Sequence, residues 1–449
     1  IKMPIPNVLG EEINLLLYER DIFTENASVI KSSEPDQDFF KPEAKFYRGV
    51  VEGKKNSLVA ISIFENEISG LVSLDNKTFV LGRIEDSQNN EHIWYEDENL
   101  MIDEGFTCSA IPSEDHKHEQ HEFTGGAKTN NCVNVKLEID DDLVTDFGSA
   151  AAASNYAASL MNQVITLFAD DGITIGLSEI VAFDGNSPYS GSLGDKLFQM
   201  NHSSGVSDLT ALLTGSDIGG IAFISALCSS SAVNVNGVFG FFNNVPTYSW
   251  DVNVLAHEIG HTLSSPHTHA CAWNGNNTAI DGCGFDAGFS EGCDGPIPSN
   301  GGTIMSYCHL LSTGVNFNLG FGPQPSSRMI NYVNSRSCLD AGCTPIPSDC
   351  NDETLTLEVT TDEYPGETTW QITDGTGSVV VSGGPYTSAF STSNQDICLS
   401  EGCYTLTFFD SFGDGICCGF GNGSYTLTYN GTTLVTGGEF ASSESNDFC

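Results

Sequence analysis

The chain has 449 residues, too many for one ordinary core, so its length predicts two or three domains. Hydrophobic residues make up 39% and include 27 Phe and 13 Tyr, which argues against global disorder, while charged residues are only 17% and leave a net charge of -43. Such acidity repels phosphate backbones, and no apolar run approaches the roughly 18 residues of a membrane span, so neither nucleic acid nor a membrane is an expected partner. The chain opens at Ile1 without a basic and apolar leader, and the expectation is that a signal peptide has been removed. Fifteen cysteines suit an oxidising, extracellular setting. Their odd number leaves one over, as a free thiol or a link to another chain.

Charge divides the chain. Residues 1–128 hold 12 of the 16 basic residues and 25 of the 59 acidic ones, so residues 129–449 are almost free of bases. That shift predicts a boundary near residue 128. The polar stretch from Ser113 to Asn131 reads as an exposed, protease-sensitive linker, with His116, His118 and His121 more naturally solvated than metal-bound. In the first segment LVAISIF (58–64) and GLVSLDNKTFVLGRI (70–84), with Asp75-Asn76 as a turn, predict antiparallel strands. From Cys132 the pattern alternates. VNVKLEID predicts a strand, residues 149–169 a helix, GITIGLSEIVAF and IGGIAFISAL strands, and DVNVLAHEIGHTL a helix with Leu255, Ile259 and Leu263 on one face. Strands alternating with helices to about residue 345 predict one α/β domain. TPIPSD then makes a stiff linker, and the last hundred residues carry short alternating runs (TLTLEVT, TTWQIT, SVVVSG, CYTLTFF, SYTLTYN, TTLVTG) that predict a small β-sandwich.

The stretch HEIGHTLSSPH, His257 to His267, carries the chemistry. On a helix His257 and His261 lie one turn apart and present two imidazoles to one point. Glu258 projects about 100° round the helix, out of reach as a ligand but able to act as general base on a water held at the metal. Pro266 forces Ser265 out of the helical region, so the chain can turn back and bring His267 as a third ligand. The bland alternative is an amphipathic helix with surface histidines. GGTIMSYCH, with Met305 after a Gly pair, supplies a Met-turn that argues against it.

The zinc motif and Met305 resemble the metzincins, and ALLTGSDIGGIAFISALC is similar to the edge strand and nearby cysteine of the adamalysin (reprolysin) branch. The segment FYRGVVEGKKNSLVAISIFENEISGLVSLDNKTFVLGRI is similar to an adamalysin propeptide, and HTHACAWNGNNTAIDGCG and GGTIMSYCHL look closest to secreted bacterial members. The resemblance implies a secreted zinc endopeptidase in zymogen form, acting on protein or peptide substrates that pair with the edge strand around Ile221–Ile224. It also implies a Cys228–Cys338 disulfide. Tyr307, two residues after Met305, either packs in the Met-turn or, as in astacin-like members, touches the metal or the oxyanion. Two departures stand out: Ser264 replaces the glycine of the family motif, at a turn that needs a positive φ, and no disintegrin-like cysteine region comes after Cys343.

By region, the cysteines number six in the β-module, eight in the catalytic region, and Cys108 alone before the linker. Cys108 therefore predicts a cysteine switch, its thiolate taking the fourth zinc position in the zymogen, although FTCSAIPS lacks the family's flanking Lys and Gly. The alternative is a disulfide from Cys108 into the catalytic region. DSFGDGICC in the β-module offers Asp410 and Asp414 for calcium, or simply a β-turn, and the adjacent Cys417 and Cys418 are expected to pair elsewhere. The combined expectation is a monomer: a β-rich inhibitory propeptide (1–128), an α/β metzincin catalytic domain with mixed sheet and helices (129–345), and a disulfide-bearing β-sandwich (346–449). Its rival is a catalytically inactive metzincin-fold binding or adhesion protein, against which the intact Glu258 argues.

Overall fold

A computed structural model describes residues 2–6, 12–35, 41–84, 89–97, 108–112, 129, 131–185, 187–202, 207–239, 248–339, 354–374, 379–386, 388–399, 404–429 and 432–448. Nearly all of the predicted linker with its three histidines lies outside them, as do TPIPSD, Cys343, Cys350, Cys403 and Cys449. Two compact units emerge, Ile1–Ile346 and Pro347–Cys449.

In the first unit the N-terminal segment contributes β1 (Lys2–Pro6), β2 (Glu12–Glu19), β3 (Phe23–Lys31), β4 (Lys45–Val51), β5 (Lys54–Ile63), β6 (Ile68–Leu74), β7 (Lys77–Arg83), β8 (His92–Glu96) and β9 (Cys108–Pro112). All but β3 and β9 form a seven-stranded antiparallel sheet in the order β1-β2-β4-β5-β6-β7-β8. The expected turn at Asp75-Asn76 is present, with φ of 50° and 64°, as a two-residue hairpin with a primed turn requires. Both faces of this sheet are apolar. One buries Leu15, Val59, Ile61 and Val72 in a cluster of its own, and the other packs Phe46, Leu58, Leu71 and Val80 into the main core.

The main core is built on β10 (Val133–Ile139), α1 (Asp141–Asp146), α2 (Ala150–Asp170), β11 (Ile175–Ala182), α3 (Leu193–Gln199), β12 (Leu209–Thr214), β13 (Gly219–Ile224), β14 (Val233–Gly237), α4 (Tyr248–Thr262), α5 (Cys283–Asp286) and α6 (Pro323–Asn334). Its mixed sheet runs β3-β11-β10-β12-β14-β13-β9, parallel except where β13 meets β14. The mixed sheet with few helices is the arrangement the alternating pattern predicts. The two outermost strands are a finding of the tertiary structure, because both come from the N-terminal segment.

Helix α2 starts where Ser149 accepts the N–H of Ala152, and 16 of its 21 residues are buried. Toward the N-terminal sheet it offers polar groups: Ser159 bonds Ser69 at 2.6 Å, and Asn162 donates to the Ile61 carbonyl at 3.1 Å.

The second unit holds β15 (Thr354–Thr360), β16 (Thr368–Asp374), β17 (Val379–Gly383), β18 (Thr392–Cys398), β19 (Tyr404–Asp410), β20 (Ser424–Tyr429), β21 (Thr432–Gly437) and β22 (Ser443–Phe448). They make two four-stranded sheets, β18-β15-β20-β21 and β17-β16-β19-β22, over one cluster centred on Trp370, Phe408, Tyr425 and Leu427. Cys417 and Cys418 correct the sequence expectation, since they are bonded to each other. The peptide between them is cis, and their Cα atoms stand 3.1 Å apart.

Candidate active site

Helix α4 carries the first half of the zinc motif. Leu255, Ile259 and Leu263 are buried as their spacing predicts, and the opposite face turns His257 and His261 toward one point, with ring centroids 4.7 Å apart. The helix ends at Thr262, and the N–H groups of Ser264 and Ser265 close back onto the carbonyls of His261 and Gly260 at 2.8 and 2.9 Å. This turn places Ser264 at φ +91°, the left-handed region where a side chain costs on the order of 1 kcal/mol. Local bonds offset that cost. Arg328 Nε donates to the Ser264 carbonyl at 2.6 Å, and the Ser225 hydroxyl donates to Ser264 Oγ at 2.9 Å. Past Pro266 the chain reverses and returns His267 to the helix, 4.6 Å from His261 between ring centroids.

All three imidazoles are essentially buried, and each commits its Nδ1 elsewhere. Nδ1 of His257 bonds the Ile304 carbonyl at 2.8 Å, that of His261 the Ser265 carbonyl at 2.6 Å, and that of His267 the Glu291 carboxylate at 2.5 Å. Each acceptor is an oxygen, so each Nδ1 carries the proton and each Nε2 is left as a lone pair. The Nε2 atoms of His261 and His267 face each other at 3.1 Å with no proton to share, and Nε2 of His257 has no hydrogen bond among the described residues. Ligand nitrogens about 2.0 Å from one zinc in tetrahedral geometry stand about 3.3 Å apart, so the three fit a zinc ion. Burial also holds all three well below the ordinary histidine pKa, in the neutral state a metal ligand needs.

Glu258 is buried beside this point, with neither carboxylate oxygen hydrogen-bonded among the described residues, and burial pushes its carboxyl well up. Gly220 on β13 makes room for it, since a Cβ there would overlap the carboxylate. Met305 lies beneath the helix. A Cβ at Gly260 would stand 2.8 Å from its sulfur, so the glycine inside HEIGH allows the Met-turn to close against α4. The disulfides Cys283–Cys308 and Cys228–Cys338 fasten the surrounding loops, the second as the resemblance implies.

Cys108 is a free, buried thiol, and no disulfide ties it to the catalytic region. Its sulfur groups with ligand atoms of His257 and Glu258, all within 4.8 Å of one another. Burial and the neighbouring Glu258 raise its pKa well up in the absence of a cation. The strand it opens, β9, lies parallel against β13 from Gly220 to Ile224, along the edge where a substrate strand is expected. Tyr307 is 2% exposed and contacts His257, His267 and His269 through its ring. Its hydroxyl donates to the Cys108 carbonyl and accepts from the Cys108 N–H at 3.1 Å, so it reaches the groove as well as packing in the Met-turn.

Two residues at these sites are invisible to motif reasoning. Glu291 sits 24 residues after His267 in a loop without periodicity. In the second unit Glu367 joins Asp410 and Asp414, the three offering oxygens within 4.8 Å of one another. Asp410 Oδ1 meanwhile accepts the N–H groups of Phe412 and Gly413, at 3.0 and 2.5 Å, as a turn residue does.

Three converging imidazoles, a buried carboxylate and a sheet edge alongside define a metal-dependent peptidase site. In agreement, residues 129–317 match the family model for reprolysin-type proteins described as metallo-peptidase family M12. Residues 129–317 thus carry a reprolysin-like metallopeptidase domain, the catalytic part of a zinc metalloendopeptidase. Among solved structures, metalloproteinase-II from Bacteroides fragilis is similar at 12% identity, over 60% of this chain and 82% of that chain, with a TM-score of 0.33.

Proposed function

We propose that the protein is a secreted endopeptidase held as a zymogen, with residues 1–128 as propeptide, 129–345 as catalytic domain and 346–449 as accessory module. One observation carries this reading: β9 occupies the edge of β13 with its thiol at His257 and Glu258, where a substrate and the attacking water have to stand. His257, His261 and His267 hold zinc, whose chemistry when bound is to polarise the scissile carbonyl and acidify a water. Backbone groups of Gly220–Ile224 bind and align an extended peptide once β9 is gone. Glu258, one helix position from His257 and walled by Gly220, accepts the proton of the attacking water and returns it to the leaving amine. The Tyr307 hydroxyl, released from the Cys108 backbone, is placed to donate to the developing oxyanion.

The inhibitory role of Cys108 is supported by its free, buried thiol beside His257 and Glu258, which would hold a zinc ion as thiolate in place of the water. Release of residues 1–128 has to withdraw β3 from β11 and Phe46, Leu58, Leu71 and Val80 from the main core, a cost that the polar bonds between α2 and the N-terminal sheet lessen only in part. The calcium reading of the β-module is supported by Glu367 beside Asp410 and Asp414.

The purified chain incubated with casein tests the proposal, before and after limited proteolysis and with or without a zinc chelator. Cleavage between about Ser109 and Asn131 should switch activity on, and the chelator should switch it off. A precursor as active as the cleaved form rules out the zymogen, and activity that survives removal of zinc rules out the mechanism.

A further inference from the structure

The three imidazoles are not anchored alike. His257 and His261 stand on α4 and give their Nδ1–H to backbone carbonyls, which any sequence can supply. His267 comes from the turn after the helix, and its Nδ1 is held by a side chain, the Glu291 carboxylate, at 2.5 Å. The same carboxylate oxygen lies 3.6 Å from Nε2 of His269, whose ring stacks on His267 at 4.8 Å and 8°. Glu291 thus stands where two parallel imidazoles compete for one acceptor, and its shorter bond selects His267.

The loop that delivers it is fastened on both sides. Gly292 pairs with Ala270 in a short β-bridge, and Cys293 is joined to Cys271, four residues beyond His267. Gly284 lies against the His269 ring and leaves no room for a Cβ, so the ring is seated beside His267 by a close backbone contact. Glu291 itself is 40% exposed, hence it is not needed to fill a core.

We propose that Glu291 is the positioning residue of the third metal ligand: its carboxylate fixes the His267 ring with Nε2 toward the metal, and the Cys271–Cys293 disulfide holds the loop that presents it. The inference rests on the zinc reading above. A carboxylate behind a ligating imidazole fixes the tautomer and strengthens the nitrogen as a donor, and its loss typically weakens metal binding about 10- to 100-fold. Without it, the His267 ring is free to flip and exchange its two nitrogens.

The test uses the full chain and zinc alone, with affinity read by competition against a chromophoric chelator. Glu291→Ala should bind zinc about 10- to 100-fold more weakly, and Glu291→Gln should recover part of that, because an amide oxygen still accepts from Nδ1. In the cobalt-loaded chain, the exchangeable imidazole N–H signal of His267 should shift and broaden in Glu291→Ala while those of His257 and His261 stay. The metal-free variant should melt with the wild type. Removing the loop clamp with the Cys271→Ser/Cys293→Ser pair should weaken zinc in the same direction. Wild-type zinc affinity and an unmoved His267 signal in Glu291→Ala overturn the proposal. Failure of the zinc reading looks different: His257→Ala would then bind zinc as tightly as the wild type.

Discussion

The two edges of the mixed sheet are both closed by the N-terminal segment, yet they are built differently. At the far edge β3 runs for nine residues beside β11 and sends Phe23 and Val29 into the main core. At the groove edge β9 runs for five beside β13, and it brings a thiol, Ile111 against the cluster of Leu197 and Val235, and a backbone held at Cys108 by a tyrosine hydroxyl. Apolar burial of about 25 cal/mol per Å² makes the first a structural strand. The second gains less from burial, through Cys108 and Ile111, and sits on the chemistry, so the two strands of one N-terminal segment are held by different forces. An edge closed mainly by side-chain packing and an edge that also carries a thiol to the metal site are thus distinguishable before any activity is measured.

The largest effect is expected at the groove. Glu258→Ala in the activated enzyme should lower casein hydrolysis about 10³-fold while zinc stays bound, because only the proton acceptor is lost. Normal turnover would remove Glu258 from the mechanism and with it the reason to read β9 as a plug. At the far edge, Val29→Asp places an unpaired carboxylate at a position 2% exposed, and should cost about 3 kcal/mol in urea unfolding of the intact chain. A midpoint unchanged by that substitution would make the two edges equivalent. Cys108→Ser should do the opposite: leave the unfolding midpoint nearly where it is and let the intact precursor leak a fraction of the activity, since a hydroxyl is a poor zinc ligand. Leakage is partial because β9 still covers β13.

The smallest effect comes from a site remote from both edges. Asp171 accepts the Phe321 N–H at 2.8 Å and the Ser326 hydroxyl at 2.6 Å, and burial pushes its carboxyl up from 3.8 to about 6. The folded state therefore favours the protonated acid. Its contribution to stability is full below pH 3.8 and lost as pH rises through about 6, a change of about 2 kcal/mol allowing for solvent access. Asp171→Asn keeps the Phe321 N–H on its single amide oxygen and can donate its amide N–H to the Ser326 hydroxyl, which still donates to the Gly322 carbonyl, so its unfolding free energy should gain on the wild type at pH 7.5 but not at pH 3.5. An equal gap at both values would place the perturbation on another group.

Much of this was legible in the chain itself. The period-3.6 pattern of Leu255, Ile259 and Leu263 fixed which face of α4 is buried, and with it where His257 and His261 point. Parity of the cysteines singled out Cys108 as the unpaired thiol, and Asp75-Asn76 named its hairpin. Other elements escaped because they lack a local signal. Strand β22, SESNDF, is polar on both faces and becomes a strand only because β19 offers it an edge. The length of β9, five residues in CSAIP, is too short for any pattern to stand out.

By itself, then, the sequence determined the chemistry: residue types at i, i+4 and i+10 on a helix and its following turn dictate which donors converge, because that geometry is set by the backbone within a dozen residues. Hydrophobic period also marked the stretches of alternating strand and helix and the β-rich ones. Only the tertiary structure decided the partners of lone residues. That Glu291 holds His267, that Glu367 joins Asp410, and that β3 and β9 close opposite edges of one sheet each depend on contacts between segments far apart in the chain. Such contacts are selected by burial and hydrogen-bond satisfaction of the whole fold, which no local spacing encodes.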